Sequence, residues 1–381
     1  MILETTDINL GFIPLTDSAP LIVAKEFGFF AEWGLNVNLL KQNSWATLRD
    51  KLHAGLLDAA QMLAPMPIAS TLGLGVAPTP VITPLILSLN GNAITLSESL
   101  HLEILQANKI SHITLPMAAY LLQEVVAKRK ETGTAKLSFA NVFPYSCHYY
   151  QLRDWLKSGH ISDDDVDIVV VPPVSMVNFM EAGEIDGFCV GGPWNAKAVR
   201  SGIGITALTS FDIWQDSPEK VLGLLESYYT QNPNTVLALC AALKQACSWL
   251  ETIPNCFEAA RVLSKSRYLD APLDVIAPSL LGSCLTHKST GPRSIPSYNQ
   301  FSARHNGSIN QPELVRGEWL LKQMHNAGQI DISTIQPSFV SKVYRPDIYQ
   351  QMKKVLDQHA LTNIDEALRH FDGARLHRVI S

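Results

Sequence analysis

The sequence HAGLLDAAQMLAP at residues 53–65 returns in outline, 128 positions later, as EAGEIDGFCVGGP at residues 181–193. Both patterns predict a helix that ends at its glycine, then a short buried strand and a turn. Chance is the alternative, because glycine and aspartate are ordinary turn formers. A true repeat means that the chain builds one helix–strand–loop unit twice and has two similar α/β lobes. The shared positions are Gly55, Asp58 and Pro65 in the first copy and Gly183, Asp186 and Pro193 in the second.

The composition is that of a chain with well-filled cores and a mild negative charge. Its 381 residues exceed one ordinary domain, and 46% of them are hydrophobic. Thirty Lys and Arg against 35 Asp and Glu give a net charge of −5, and the longest basic block is Lys128–Lys130. This balance argues against nucleic acid as a direct partner. No run of eighteen apolar residues occurs, so we expect no membrane span.

The first residues carry acidic groups where a secretory signal needs a basic start and an unbroken apolar stretch. Glu4 and Asp7 stand in this region, and a strand over Ile8–Phe12 follows at once. The six cysteines form no Cys-x-x-Cys pair, as expected for a protein in a reducing compartment. We therefore expect a cytoplasmic protein, with a periplasmic protein that has lost its signal as the alternative.

Short apolar strands alternate with helices through the first half of the chain, which is typical of a sheet covered on both faces. We predict that lobe I begins in residues 1–95 and that lobe II occupies residues 96–200. Residues 201–381 are expected to return to lobe I and add a helical C-terminal region. The helical pattern begins with a predicted helix over Pro218–Tyr229. Residues 283–310 are rich in Ser, Gly, Pro, Asn and His and predict a long loop.

Seven segments, in order along nearly the whole chain, resemble the nitrate-binding family of solute-binding proteins. The segments are Pro14–Pro20, Ser44–Asp50, Leu63–Pro67, Asn90–Thr95, Phe188–Asn195, Asp216–Lys220 and Val343–Tyr349. The resemblance implies an α/β, two-lobed periplasmic-binding-protein-like fold (type II) with a ligand cleft between the lobes. It also implies a binding protein without a cofactor rather than an enzyme.

That family includes receptors of nitrate and bicarbonate ABC transporters, receptor-like domains fused to transporter ATPases, and cytoplasmic sensors of the NasS type. Such a sensor holds an RNA-binding antiterminator of the NasT type inactive until nitrate or nitrite binds. With no export signal expected and no ATPase P-loop motif, the chain most resembles the sensor. The substrate-binding component of a nitrate or bicarbonate transporter is the alternative. An enzyme on the same scaffold is a second alternative.

Nitrate is planar, monovalent and weakly hydrated, which sets the requirements of a buried site. It needs about one cation, several donors in its plane and an apolar or aromatic face. By resemblance, and with Asn90 as an alternative to Asn92, the ligand contacts are Trp45, Asn92, His148, Gly191 and Lys220. We expect the anion to settle between the lobes and to shift them toward a closed state.

Each candidate also has a purely structural interpretation. Trp45 begins a predicted helix capped by Ser44, where free N–H groups favour an anion, but it suits a core position as well. His148 is equally compatible with a helix start, and the two asparagines with turns that serve their own backbone. Lys220 in the first turn of a predicted helix is typical of solvated surface. Glu219 beside it is typical of a residue that only compensates the helix dipole.

The remaining signals are glycines, acids and their spacing. Gly191 can present its backbone N–H to a ligand, whereas Gly192 stands where the family commonly has Glu. Asp58 and Asp186 are expected to cap or end their turns. No His, Cys, Asp and Glu cluster has the spacing of a metal site, so we expect no bound metal.

Overall fold

A computed structural model of the chain describes residues 1–302 and 309–361. Its strands are short, most of them five or six residues long, and several are buried along their whole length. In chain order they are β1 (Asp7–Phe12), β2 (Asn36–Lys41), β3 (Ala59–Leu63), β4 (Val81–Asn90), β5 (Asn92–Ser97), β6 (Leu137–Asn141), β7 (Val166–Val170), β8 (Gly187–Gly191), β9 (Gly204–Thr209), β10 (Pro218–Leu225), β11 (Ser283–Cys284), β12 (Arg293–Ser294) and β13 (Asn299–Gln300).

Helices follow most strands and cover the sheets. They are α1 (Ala19–Glu26), α2 (Phe29–Glu32), α3 (Trp45–His53), α4 (Met66–Leu72), α5 (Glu98–Asn108), α6 (Gln123–Thr132), α7 (Cys147–Ser158), α8 (Met176–Glu181), α9 (Trp194–Ser201), α10 (Ser210–Ile213), α11 (Glu226–Gln231), α12 (Pro233–Trp249), α13 (Ile253–Leu263), α14 (Leu273–Leu280), α15 (Leu314–Asn326) and α16 (Phe339–Val343). Residues 346–361 are also helical. Short 3₁₀ turns occupy Thr16–Ser18, Ala119–Leu122, Pro173–Ser175 and Ile332–Thr334.

Two mixed sheets organise the fold, and we call each sheet with its covering helices a lobe. The sheet of lobe I has the strand order β13-β4-β10-β3-β1-β2, and that of lobe II has the order β7-β6-β8-β5-β9. In each, a parallel set is joined to antiparallel strands, through β3 and β10 in lobe I and through β8 and β5 in lobe II. The predicted α/β, two-lobed periplasmic-binding-protein-like fold is confirmed.

The repeated sequence unit corresponds to a repeated structural device. Asp58 donates its N–H to the carbonyl of Asn9 and accepts the N–H of Asn9 on its side chain at 2.7 Å. Asp186 makes the same two contacts with Ser138, the side-chain bond being 2.8 Å. Each aspartate therefore ties the start of one central strand to its parallel neighbour. The expectation that these acids only cap a turn misses this second function.

The predicted helix over Pro218–Tyr229 is wrong, because residues Pro218–Leu225 form the central strand β10. The apolar run Val221–Leu225 is buried between β3 and β4, and a short apolar run has no period that separates a buried strand from a buried helix. Pro218 is tolerated since it is the first residue of the strand. The helix of this region starts only at Glu226.

The chain passes from lobe I to lobe II at Gly91 and returns within residues 210–217. The boundaries predicted at residues 95 and 200 stay a prediction, and the strand membership leads us to propose Gly91 and residues 210–217 instead. Residues 303–308 of the predicted loop and residues 362–381 of the predicted last segment lie outside the described residues.

Among the described residues, no single helix is long and apolar enough to cross a membrane. Only α12 and α13 taken together reach the required length and apolarity, and a bend of 115° separates them.

Candidate functional site

The two lobes meet where β4 ends at Asn90 and β5 begins at Asn92. Asn90 has φ 61° and Gly91 has φ 96°, so the backbone passes through the left-handed region at two successive residues. Both ends of the Asn90 amide are hydrogen-bonded. Its Nδ2 donates to the carbonyl of Ser297 at 3.0 Å, and its Oδ1 accepts the N–H of Ser217 at 3.1 Å.

Beside this crossing lies Lys220, a fully buried cation on β10. Its Nζ is 2.8 Å from Oδ2 of Asp17, 2.7 Å from Oε1 of Glu219 and 5.5 Å from the centroid of the Trp45 ring. The pairing of β10 with β4 shifts register on both sides of Lys220. Such irregularities re-aim side chains, which explains how two successive residues reach one place. The ammonium is held between two carboxylates and an aromatic side chain.

Three other elements of lobe I complete this arrangement. Asp17 lies in the 3₁₀ turn after β1, and its Oδ1 accepts a hydrogen bond from Nε2 of Gln61 on β3 at 2.8 Å. Trp45 is the first residue of α3 and is fully buried. The side chain of Ser44 accepts a backbone N–H of the first turn, so the predicted N-cap is confirmed.

Lobe II faces the charged residues with neutral polar groups. Nδ2 of Asn92 donates to Oε2 of Glu219 at 2.8 Å and to Oε1 of Gln151 at 3.1 Å. Nδ1 of His148 is 3.4 Å from Oε1 of Glu219. His148 and Gln151 are three positions apart on α7, which places both on one face of that helix. All four side chains are fully buried.

Two glycines bring the backbone of lobe II against lobe I. A Cβ at Gly191 would lie 3.2 Å from Oδ2 of Asp17 and 3.6 Å from Oδ1 of Asn92. A Cβ at Gly192 would lie 2.7 Å from Oγ1 of Thr16, and the N–H of Thr16 donates to the Gly192 carbonyl at 2.8 Å. A glutamate, which the family commonly has at this second position, does not fit this arrangement without a shift of the chain.

We call the side chains described so far the anion cluster: Asp17, Trp45, Gln61, Asn92, His148, Gln151, Glu219 and Lys220. Their protonation states follow from burial and from neighbouring charges. Burial lowers the pKa of His148 well below its usual value, and the Lys220 ammonium acts in the same direction, so the imidazole is neutral at neutral pH. Burial raises the pKa of Glu219, although Lys220 opposes the change. Burial alone would lower the pKa of Lys220, but Asp17 and Glu219 outweigh it and raise that pKa. Lys220 therefore stays a cation.

Several buried polar atoms of the cluster have no hydrogen-bond partner. Within the described part of the chain, Nε1 of Trp45, Nε2 of His148 and Oδ1 of Asn92 are buried without a hydrogen-bond partner. The indole is a donor, and the imidazole donates from Nε2 in the tautomer protonated there. A cation, two N–H groups and an aromatic ring are the groups that a small planar anion requires. Two carboxylates beside one ammonium, however, oppose a further negative charge.

A cavity of about 510 Å³ opens nearby between α15 and the segment that precedes β10. Trp214, Arg316 and Trp319 line it, and it reaches the cluster only at Ser217 and Pro218. Oγ of Ser217 accepts a hydrogen bond from Nε2 of Gln151 at 3.3 Å. The cavity therefore borders the cluster but is not its centre.

The structure brings five of the predicted residues together: Trp45, Asn92, His148, Gly191 and Lys220. The sixth, Asn90, uses its amide for hydrogen bonds to the backbone of Ser217 and Ser297. Ligand contact at these residues stays a prediction. Glu219 as a helix-dipole residue and Lys220 as a residue of a first helical turn are both wrong, because β10 is a strand.

Sequence reasoning missed four residues of the cluster: Asp17, Gln61, Gln151 and Glu219. Asp17 and Glu219 do lie inside segments that carry the family resemblance, which is the one available signal. Gln61 lies on the strand of the first repeat copy. Nothing in their local sequence distinguishes them from polar residues of turns and strands.

Comparison with known proteins decides the family. A profile of the NMT1-like family matches residues 2–264, more than half of the chain. The chain belongs to the NMT1-like family. The resemblance to nitrate-binding solute-binding proteins is confirmed by relatives within it.

These relatives include transport proteins from cyanobacteria. The nitrate import ATP-binding protein NrtC of Synechocystis sp. is 37% identical over 97% of this chain and 53% of its own length. The bicarbonate transport ATP-binding protein CmpC of Synechococcus elongatus is 33% identical over 97% of this chain and 53% of its own length. The chain thus spans about half the length of these curated relatives. The crystal structure of the periplasmic nitrate-binding protein NrtA from Synechocystis PCC 6803 is 31% identical, covers 93% of this chain and 90% of its own, and has a TM-score of 0.85.

Proposed function

We propose that this chain is the anion-binding component of an ABC-type nitrate import system and that it holds nitrate or nitrite in the cluster around Lys220. The observation that carries this proposal is a fully buried ammonium beside the Trp45 ring, met from lobe II by Asn92 and His148. The name and structure of NrtA and the name of NrtC support the same ligand.

Binding of the anion favours the closed arrangement of the lobes in this mechanism. Lys220 and the indole N–H of Trp45 hold the anion from lobe I, while Nε2 of His148 donates to it from lobe II and Asn92 holds Glu219 and Gln151 in place. Because contacts from both lobes form only when the cleft is shut, the anion shifts the equilibrium by its difference in affinity for the two states. Gly191 permits the final approach, since its backbone lies against Asp17.

Titration calorimetry with nitrate, nitrite, bicarbonate and sulfate tests the proposal. We expect saturable binding of nitrate or nitrite by the wild-type chain and its loss in Lys220→Met. Lys244→Met is the matched control, because Lys244 is half-buried and its side-chain hydrogen bonds among the described residues go to the hydroxyls of Ser248 and Ser302. Absence of binding to all four anions, or equal binding by the Lys220 and Lys244 variants, contradicts the proposal.

Bicarbonate is the second candidate ligand, and one observation favours it. Bicarbonate carries an O–H group that nitrate lacks, and the carboxylates of Asp17 and Glu219 are acceptors placed at the same cluster. The relationship to CmpC agrees with this choice. Tighter binding of bicarbonate than of nitrate, abolished in Glu219→Gln, would establish it.

The resemblance also implies a sensor of the NasS type that releases a NasT-type antiterminator. This interpretation has no support in the relatives described, which are import or transport ATP-binding proteins and a periplasmic nitrate-binding protein, and it stays a prediction. By thermodynamic reciprocity, a regulator released by nitrate must weaken nitrate binding by the same factor. Measuring nitrate affinity with and without such a partner separates the sensor from the receptor.

A further inference from the structure

Three metal-ligating side chains converge on lobe II, away from the anion cluster. Oε2 of Glu98 is 3.2 Å from Nε2 of His287 and 3.5 Å from Nδ1 of His101, and the three atoms lie within 4.8 Å of one another. Tetrahedral Zn²⁺ has bonds of about 2.0–2.2 Å to nitrogen and oxygen, which place neighbouring ligand atoms about 3.4 Å apart. Two of the three separations already match that geometry.

The two histidines are oriented as ligands rather than as surface groups. Nδ1 of His287 is 2.7 Å from Oγ of Ser289 and 3.3 Å from the backbone N of Ser289, and these contacts fix the ring and turn Nε2 toward Glu98. A metal ion at Nε2 requires the tautomer in which Nδ1 carries the proton and donates it to the Ser289 hydroxyl. Orientation of a ligating imidazole through its other nitrogen is a recurrent feature of metal sites. Nδ1 of His101 is buried, and within the described residues it has no hydrogen bond, since Glu98 lies 3.5 Å away, beyond ordinary hydrogen-bond length. Glu98 thus pairs with both imidazoles, whose rings pack edge to face, and a metal ion among the three groups would engage all of them at once.

We propose that Glu98, His101 and His287 bind a divalent transition-metal ion, with Zn²⁺ as the best match. Two imidazoles and one carboxylate suit Zn²⁺, whereas Ca²⁺ and Mg²⁺ prefer sites made of oxygen. The side chains are between 16% and 30% exposed, which leaves room for water as a fourth ligand.

The site explains why sequence spacing predicts no metal. Glu98 and His101 are three positions apart on α5, but His287 is 189 positions from Glu98 and lies in the segment that joins α14 to β13. The same segment already touches lobe II, where the carbonyl of Thr286 accepts the N–H of Thr206 at 2.8 Å. His287 would be the third ligand, beside Glu98 and His101 of lobe II. A bound ion would therefore attach this connecting segment to lobe II.

Zinc titration of the full chain, freed of metal by chelation and kept without nitrate, tests the site. We expect one Zn²⁺ per chain, no binding of Ca²⁺ or Mg²⁺ here, and affinity reduced at least about 100-fold in His101→Ala and in His287→Ala. This bound is reasoned from the 10–100-fold loss that follows removal of outer-sphere partners alone. His112→Ala, which removes an exposed histidine elsewhere, should leave the affinity unchanged.

Substitution with Co²⁺ gives a readout that does not depend on affinity. The proposal predicts the visible bands of tetrahedral Co²⁺ without the near-ultraviolet band of thiolate ligation, and the loss of these bands in Glu98→Gln, a variant of matched shape. Absence of saturable Zn²⁺ binding, a thiolate band, or binding that survives His101→Ala combined with His287→Ala overturns the proposal. Because nitrate is absent throughout, failure here leaves the anion proposal untouched.

Discussion

The two sides of the anion cluster differ in charge. Lobe I contributes the charged groups Asp17, Glu219 and Lys220, whereas lobe II contributes the neutral Asn92, His148 and Gln151. Lobe I therefore keeps its buried ammonium paired whether the cleft is open or shut. In the proposed mechanism, lobe II can approach and recede without moving an unpaired charge out of water, which is costly for any protein. Charge compensation resides in one lobe, and the proposed closure depends on the other.

Lys220→Met should have the largest effect on stability, because it removes the cation from the charged side of the cluster. Removing the cation leaves two buried carboxylates without their partner, and the free energy of unfolding should fall by about 3–5 kcal/mol. Denaturant unfolding measures the change. Asn92→Ala on the neutral side should cost less, although it also frees a buried carboxylate oxygen.

The double variant Glu219→Gln with Lys220→Met separates stability from binding. It should recover part of the lost stability, since one uncompensated charge is removed, but it should not bind nitrate. Nitrate binding by this double variant would show that the cation is not what holds the anion.

Anion affinity should rise as the pH falls, by up to tenfold per pH unit while Glu219 is ionised. The pKa of Glu219 is raised by burial, and its protonation removes a negative charge from the site, so the protonated form is the one that binds an anion better. Calorimetry at a series of pH values measures the slope. Glu219→Gln should flatten it.

His148→Asn is the control for that slope, because His148 is the other group whose protonation would attract an anion. Its pKa is held well below the usual value by burial and by Lys220, so it is neutral in the range tested. The variant should bind more weakly but keep the pH dependence. A slope that disappears in His148→Asn and persists in Glu219→Gln would reverse the assignment.

Gly191→Ala tests the contact that lobe II makes with lobe I. Its effect on anion binding should arise only in the closed state, in which the two lobes touch. The added Cβ would stand 3.2 Å from Oδ2 of Asp17, a contact between lobes that an open cleft does not contain. We expect about tenfold weaker anion binding, equal to about 1.4 kcal/mol, with little change in unfolding. Gly291→Ala, where a Cβ meets nothing within 4 Å, should leave both unchanged.

The last comparison concerns the aspartate contact that both lobes repeat. Asp58→Ala and Asp186→Ala each remove a side-chain bond to a strand N–H and should destabilise the chain by about 1–2 kcal/mol. Asp186 should cost more, because it also lies 3.3 Å from Nη2 of Arg129. Chemical denaturation compares the two variants. Equal values would mean that the ion pair contributes nothing.

The fold was more predictable from sequence than the cluster. A repeated helix–strand–turn pattern is local, so the two copies at residues 53–65 and 181–193 report two lobes directly. Strand β10 was not predictable, since its burial on both faces removes the alternation that marks a strand. Asp17, Gln61 and Glu219 belong to the cluster only through contacts between distant strands, which composition and spacing do not record.

The hydrogen bonds of Asn90 bear on how the lobes would move in the proposed mechanism. The backbone N–H of Asn90 donates to the carbonyl of Ser217 at 2.9 Å, and Oδ1 of Asn90 accepts the N–H of Ser217. These two hydrogen bonds hold the outgoing and the returning crossing segments side by side. Two crossing segments held side by side favour rotation of the lobes about a single axis and resist twisting of one lobe against the other. In the proposed mechanism, loosening these bonds at Asn90 should alter the rate of anion release while leaving the side chains of the anion cluster in place. Release rate and selectivity would then be set by different residues.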